Sequence, residues 1–127
     1  MSEALSSERA GEAGARDVYL TSFLKPFEHW RAAPDVTEII VNRPGEVWIE
    51  RVSGGFERHQ DISVNNLLLQ RLAGQIARVS AQAVNREQPL LSAMLASGER
   101  IQMAGPPASG ENWALAIRRH VVSDLKL

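Results

Sequence analysis

The stretch from Pro89 to Pro107, PLLSAMLASGERIQMAGPP, constrains the fold of this chain more than any other. Two short apolar runs, Leu90–Leu95 and Ile101–Ala104, flank Ala96-Ser97-Gly98-Glu99, whose serine and glycine are turn formers. Strand-like runs around a glycine-bearing loop of roughly three to five residues make a β-hairpin. Pro106-Pro107 lacks the backbone N–H that a sheet ladder uses, so the second strand is expected to stop there. Arg100 opens that second strand beside the turn, where a guanidinium can leave the sheet and reach a neighbour.

The segments before the hairpin supply the partners it needs. Residues Met1 to Arg16 are rich in Ala, Gly, Ser and Glu and have little to bury, so a mobile N-terminal segment is expected over 1–16. From Asp17, a plausible N-cap, Leu20, Leu24, Phe27 and Trp30 or Arg31 recur at helical spacing, and Pro26 is expected to kink or divide that helix. Its aromatics suit an amphipathic helix packed on a sheet; an apolar face meeting a membrane or a partner subunit is the sharper alternative. After Pro34-Asp35, the runs Val36–Asn42, Glu46–Val52 and Phe56–Gln60, separated by Pro44-Gly45 and Ser53-Gly54-Gly55, read as a three-stranded meander. In the second of them Val47, Ile49 and Arg51 share one face, and Trp48 and Glu50 the other.

Ser63 is the expected N-cap of a long helix over Val64–Val84. Its stripe of Val64, Leu68, Leu72, Ile76, Val79 and Ala83 would face the sheet, with Gln70, Arg71, Gln75 and Arg78 facing away. Trp113–Arg119 reads as a final strand with Trp113, Leu115 and Ile117 opposite Ala114, Ala116 and Arg118. The sum is an α+β domain: a mixed sheet of about six strands (meander, long helix, hairpin, final strand) with two or three helices.

Length and charge then limit what such a domain does. The 127 residues suffice for one domain with a modest core. A formal charge of -1, from 14 basic and 15 acidic side chains with no run of five like charges, leaves no basic field, so no direct nucleic-acid binding is expected. The chain has no cysteine, which excludes disulfides, thiolate metal sites and cysteine nucleophiles. No apolar run approaches the roughly 18 residues of a membrane span, although peripheral membrane contact stays open. There is no G-x-x-x-x-G-K-[ST] phosphate loop, no H-E-x-x-H, no G-x-S-x-G, and no metal site among the widely separated His29, His59 and His120. The carboxylates Glu38, Glu46, Glu50 and Glu99 are scattered, with no pair marked as acid and base. No activity is expected of the chain alone.

The residues nonetheless carry a resemblance. Asp35–Glu50 (DVTEIIVNRPGEVWIE), a long helix, Pro89–Gln102 (PLLSAMLASGERIQ), the Pro-Pro pair and Ala116–His120 (AIRRH) resemble the N-terminal domain of the traffic ATPases of type IV secretion and conjugation systems. These sit within the wider superfamily of secretion NTPases. The likeness covers about residues 17–127, and its most specific parts are the E-I-x-x-N-x-P-G turn and the S-A-x-L-x-x-G-E-R-I-Q hairpin.

The resemblance implies a hexameric ring of two-domain subunits that powers translocation of protein or DNA. Each subunit would have an N-terminal α+β domain (here 17–120), a linker beginning at 121–127, and a RecA-like ATPase domain that holds ATP with Mg2+; no cofactor is expected to be held by this chain alone. The chain stops where the second domain should begin, and so is expected to be an excised domain or a truncated protein. The implied partners are the other subunits of a homo-hexamer and inner-membrane secretion components, and the implied location is the bacterial cytoplasm at the cytoplasmic face of the inner membrane. By the same resemblance Arg100 would reach nucleotide phosphates from this domain, and Arg118 or Arg119 would be the second such contact. Guanidinium suits the role, being permanently charged and able to bind phosphate oxygens bidentately. Relatives often have Lys-Pro after the first of the two arginines, whereas Arg119-His120 stands here. Two other readings fit the residues: a stand-alone sensory-type α+β module binding a small ligand or a partner, and a non-catalytic regulator inserting into an ATPase ring.

Overall fold

A computed structural model of the chain describes residues 18–119. The expected 1–16 segment, the Asp17 cap, His120 and the 121–127 linker lie outside the described residues. Helical residues 18–24 (α1) lead into a 3-10 turn at Lys25–Phe27 and a four-residue helix, α2, at Glu28–Arg31. Pro26 lies in the first turn of the 3-10 segment, where its missing N–H leaves no ladder bond unmade, and it divides the helix as expected. Leu24, Phe27 and Trp30 are buried, so these apolar side chains serve the core, while Val18 and Tyr19 stay exposed.

Six strands follow: β1 (Val36–Arg43), β2 (Glu46–Arg51), β3 (Phe56–Gln60), β4 (Leu90–Met94), β5 (Arg100–Ala104) and β6 (Ala114–Arg118). They form one sheet in the order β3-β2-β1-β6-β5-β4, and every pairing is antiparallel, with no parallel ladder in what the sequence suggested as a mixed sheet. The final strand thus joins the meander to the hairpin. A bulge between Val36 and Glu38 re-phases β1, so Val36 and Ile39, three apart, are both buried. Beyond it the alternation is regular. Ile39, Val41, Val47, Ile49, Leu115, Ile117, Ile101, Met103 and Leu91 face the helices, and Glu38, Ile40, Ala116, Arg118, Arg100 and Gln102 line the open face.

The long helix, α3, differs from its expectation at both ends. It spans Asn66–Val79, and its cap is Asn65, whose Oδ1 accepts from the Leu68 N–H at 2.8 Å. Ser63 turns instead to Asp61, to which its hydroxyl donates at 2.6 Å. At the other end the Ser80 hydroxyl donates back to the Ile76 carbonyl at 2.6 Å, and Ala81 takes a φ of 56°, which turns Gln82–Val84 off the axis. The core face is Leu69, Leu72, Ala73, Ile76 and Ala77. Val79 and Ala83 are exposed and Gln75 is buried, contrary to the stripe read from the sequence. Val79 is the last residue of the helix and Ala83 lies beyond the turn at Ala81, so neither is carried over the sheet with the rest of the stripe.

Candidate functional site

The three arginines singled out in the sequence separate into two places. Arg100 and Arg118 lie directly opposite each other on β5 and β6, and Arg118 is in turn opposite Glu38 on β1. Cross-strand partners in register point to the same face, here the open one. Arg118 is 72% exposed and its Nη2 lies 3.5 Å from Glu38 Oε2, while the Glu38 side chain is only 16% exposed. The exposed Arg100 guanidinium makes no hydrogen bond or ion pair among the described residues. Glu38, Arg118 and Arg100, with Gln102 and Ala116, line a shallow cleft of about 40 Å3. It opens onto a wider trough of about 600 Å3 floored by Ile40, Ala104, Ala114 and Ala116, with Leu90 at its border.

Two cations facing each other across a ladder are destabilising in the absence of an anion. The row Glu38–Arg118–Arg100 carries a net charge of one positive unit and presents two guanidinium groups to one small cleft. Chemically it can bind an anion with several oxygens, of the phosphate kind.

Arg119 is elsewhere. Its backbone N–H donates to the Thr37 carbonyl at 2.9 Å and its guanidinium donates to the Ala33 carbonyl, tying the end of β6 to the loop after α2. The bulge at Thr37 presents that carbonyl.

Sequence reading missed the structural partner of the hairpin turn. Glu99, beside Arg100, points away from the cleft and is buried; its carboxylate receives Arg31 Nε at 2.9 Å and Nη2 at 3.0 Å. Ser97 donates to the same carboxylate and accepts from Arg31 Nη2 at 3.0 Å. Burial pushes the Glu99 carboxyl up, but the hydrogen bonds from Arg31 and Ser97 and the charges of Arg31 and Arg119 outweigh it and hold it below the usual carboxylate range. The Arg31 guanidinium is pushed up from its ordinary value, by its Glu99 hydrogen bond first, against an opposing effect of burial. This pair fixes the turn from which Arg100 leaves. Glu38 was also missed as part of the site: its only sequence signal is its parity with Ile40 in β1, and the pairing of β1 with β6 is what brings it to Arg118. Among the described residues no three His, Cys, Asp or Glu side chains gather as a metal site requires, and no helix is long and apolar enough to cross a membrane.

An antiparallel six-stranded α+β sheet with a meander, a covering helix, a G-E-R hairpin and a central last strand matches the N-terminal part of type IV secretion ATPases, and by sequence and fold the chain is homologous to that part. It is 41% identical over 85 residues to the type IV secretion system protein VirB11 of Brucella suis, a match covering 67% of this chain and 23% of the relative. It is 38% identical over 85 residues to PtlH of Bordetella pertussis, covering 67% and 25%, and 34% identical over 90 residues to VirB11 of Bartonella henselae, covering 70% and 25%. The crystal structure of the Brucella suis VirB11 ATPase in complex with sulphate superposes with a TM-score of 0.85 at 34% identity, over 92% of this chain and 35% of that one. The chain thus spans about a quarter of the length of the curated relatives it matches. No family model matches it.

Proposed function

We propose that this domain is the nucleotide-closing and assembly part of a hexameric type IV secretion ATPase, and that Arg100 and Arg118 contact the phosphates of an ATP held with Mg2+ by an adjoining RecA-like domain. The single observation that carries this reading is the in-register pair of exposed guanidinium groups at one cleft on the open face. Two converging arginines stabilise charge developing on a transferred phosphoryl group, and they do so from outside the domain that holds the nucleotide. Arg119, engaged with the Ala33 carbonyl, would keep the strand end in place and not touch the nucleotide. The trough beside the cleft would be covered by the adjoining domain as it closes, a hinge-type movement. Ring assembly, docking to inner-membrane secretion components at the cytoplasmic face of that membrane, and translocation of protein or DNA complete the proposal.

The test is ATP turnover by a protein that joins this domain to its ATPase domain. Arg100→Ala and Arg118→Ala are expected to lower kcat by one or more orders of magnitude with the hexamer intact, as loss of a phosphate-contacting arginine does. Unchanged turnover in both would leave the domain as a scaffold and docking platform.

A further inference from the structure

Arg118 does not face an empty cleft: it already has a carboxylate beside it. We propose that Glu38 is an internal competitor for the anion, holding Arg118 in reserve and limiting how tightly the arginine pair retains phosphate. The inference rests on the phosphate-contact reading of Arg100 and Arg118.

Three observations carry it. The contact runs from one nitrogen, Nη2, to one oxygen, Oε2, at 3.5 Å, the outer limit of a hydrogen bond. Elsewhere in the same sheet Arg51, itself partly exposed, donates to Glu57 at 2.6 Å and to Asp35 at 3.0 Å, so short, multiple arginine–carboxylate contacts are attainable on these strands. Next, the Glu38 side chain is held by the strands around it, whereas Arg118 extends into solvent. The arginine is therefore the member free to swing, and an exposed pair of this kind is worth little, so it exchanges readily. Finally, the register puts Glu38, Arg118 and Arg100 in one row on three adjacent strands. An anion seated between the two arginines lies one strand from a fixed negative charge, and taking Arg118 to itself leaves that charge uncompensated.

The consequence is a site tuned to let go. Each arriving anion must displace a carboxylate from Arg118 and tolerate its repulsion afterwards. Anions of higher charge, which gain most from both guanidinium groups, are favoured over singly charged ones. For a machine that releases phosphate each cycle, weakened product retention is the useful outcome.

The test is titration of this chain with inorganic pyrophosphate at constant ionic strength, followed by the backbone amide shifts of residues 100–102 and 116–118, for wild type, Glu38→Gln and Arg100→Ala. Glu38→Gln keeps the shape and removes the charge, and is expected to tighten pyrophosphate binding about three- to tenfold, the effect of one charge a few ångström away when solvent screens it almost as bulk water does. Arg100→Ala is expected to abolish the shifts. Equal or weaker binding by Glu38→Gln, with Arg100→Ala still abolishing it, overturns the competitor role and leaves the phosphate contacts standing. Shifts absent from wild type and Glu38→Gln, or unaffected by Arg100→Ala, overturn the competitor role, while the phosphate contacts themselves are decided by turnover of the protein joined to its ATPase domain. Unchanged amide spectra of the ligand-free variants outside the cleft establish that the fold is intact.

Discussion

Replacing Arg31 by methionine removes four hydrogen bonds and leaves the Glu99 carboxylate in the protein without its cation. The guanidinium meets Glu99 as a two-pronged fork at 2.9 and 3.0 Å, and also reaches Ser97 and Glu28, each at 3.0 Å. The side chains of Arg31 and Glu99 are 13% and 7% exposed. Removing one partner of a fully buried pair costs about 3–5 kcal/mol; at this rim position, with Ser97 still donating, about 2–3 kcal/mol is expected. For a domain near 100 residues that is a fall in Tm of roughly 10–20 °C. The pH dependence identifies the cause. In the wild type the Glu99 carboxyl titrates below its ordinary range, so its stabilisation is present above that range and is lost as the pH falls through the lowered folded value. In the variant, burial is no longer offset by Arg31 and pushes the carboxyl up; protonation then relieves the buried charge. The difference between the two proteins should therefore be largest near neutral pH and shrink towards pH 4 and below. Urea unfolding followed by far-ultraviolet circular dichroism across this range measures it. A loss under about 1 kcal/mol at pH 7, or a difference that does not change with pH, refutes the reasoning.

Asn65→Ala removes the side-chain cap of α3 and should cost about 1 kcal/mol, read as a drop in urea midpoint with an unchanged slope, while Ser63→Ala costs less because that hydroxyl caps no helix. Gly105→Ala would place a Cβ 2.6 Å from Cη2 of Trp113 and should destabilise by about 1–3 kcal/mol, partly recovered by adding Trp113→Leu, in a double-mutant cycle of thermal unfolding. Leu72→Ala, at the centre of the α3 core face, should cost about 2–5 kcal/mol in the same assay.

The hairpin at 89–107 and the meander at 36–60 were legible because strand-like runs alternate there with glycine or proline at each turn, and Gly45, Gly54, Gly55 and Gly98 all adopt the positive φ those turns use. Arg118 was readable as sharing a face with Ala114 and Ala116, since parity within a strand is local. The limits of α3 were not, because its end depends on Ala81 adopting a left-handed φ that the sequence does not advertise. Nor were the carboxylates that meet Arg31 and Arg118 across the fold, Glu99 and Glu38. Each lies more than 60 positions away, on an element that packing alone brings near: Glu99 through the docking of α2, and Glu38 through the insertion of β6 between β1 and β5. Alternation along the strand puts Arg118 with the alanines and Arg119 with Ile117; the partners of Arg119, the Thr37 carbonyl for its N–H and the Ala33 carbonyl for its guanidinium, are what only the fold reveals.

The most direct measurement is a structure of this domain joined to its ATPase domain, crystallised with a non-hydrolysable ATP analogue and Mg2+. The account predicts Arg100 and Arg118 with guanidinium nitrogens about 2.7–2.9 Å from phosphate oxygens, the distance of a charge-assisted hydrogen bond. It also predicts Arg118 withdrawn from Glu38, and Arg119 still on the Ala33 carbonyl. A nucleotide bound and enclosed with both open-face arginines left in solvent, or with Arg119 taking their place, would contradict it.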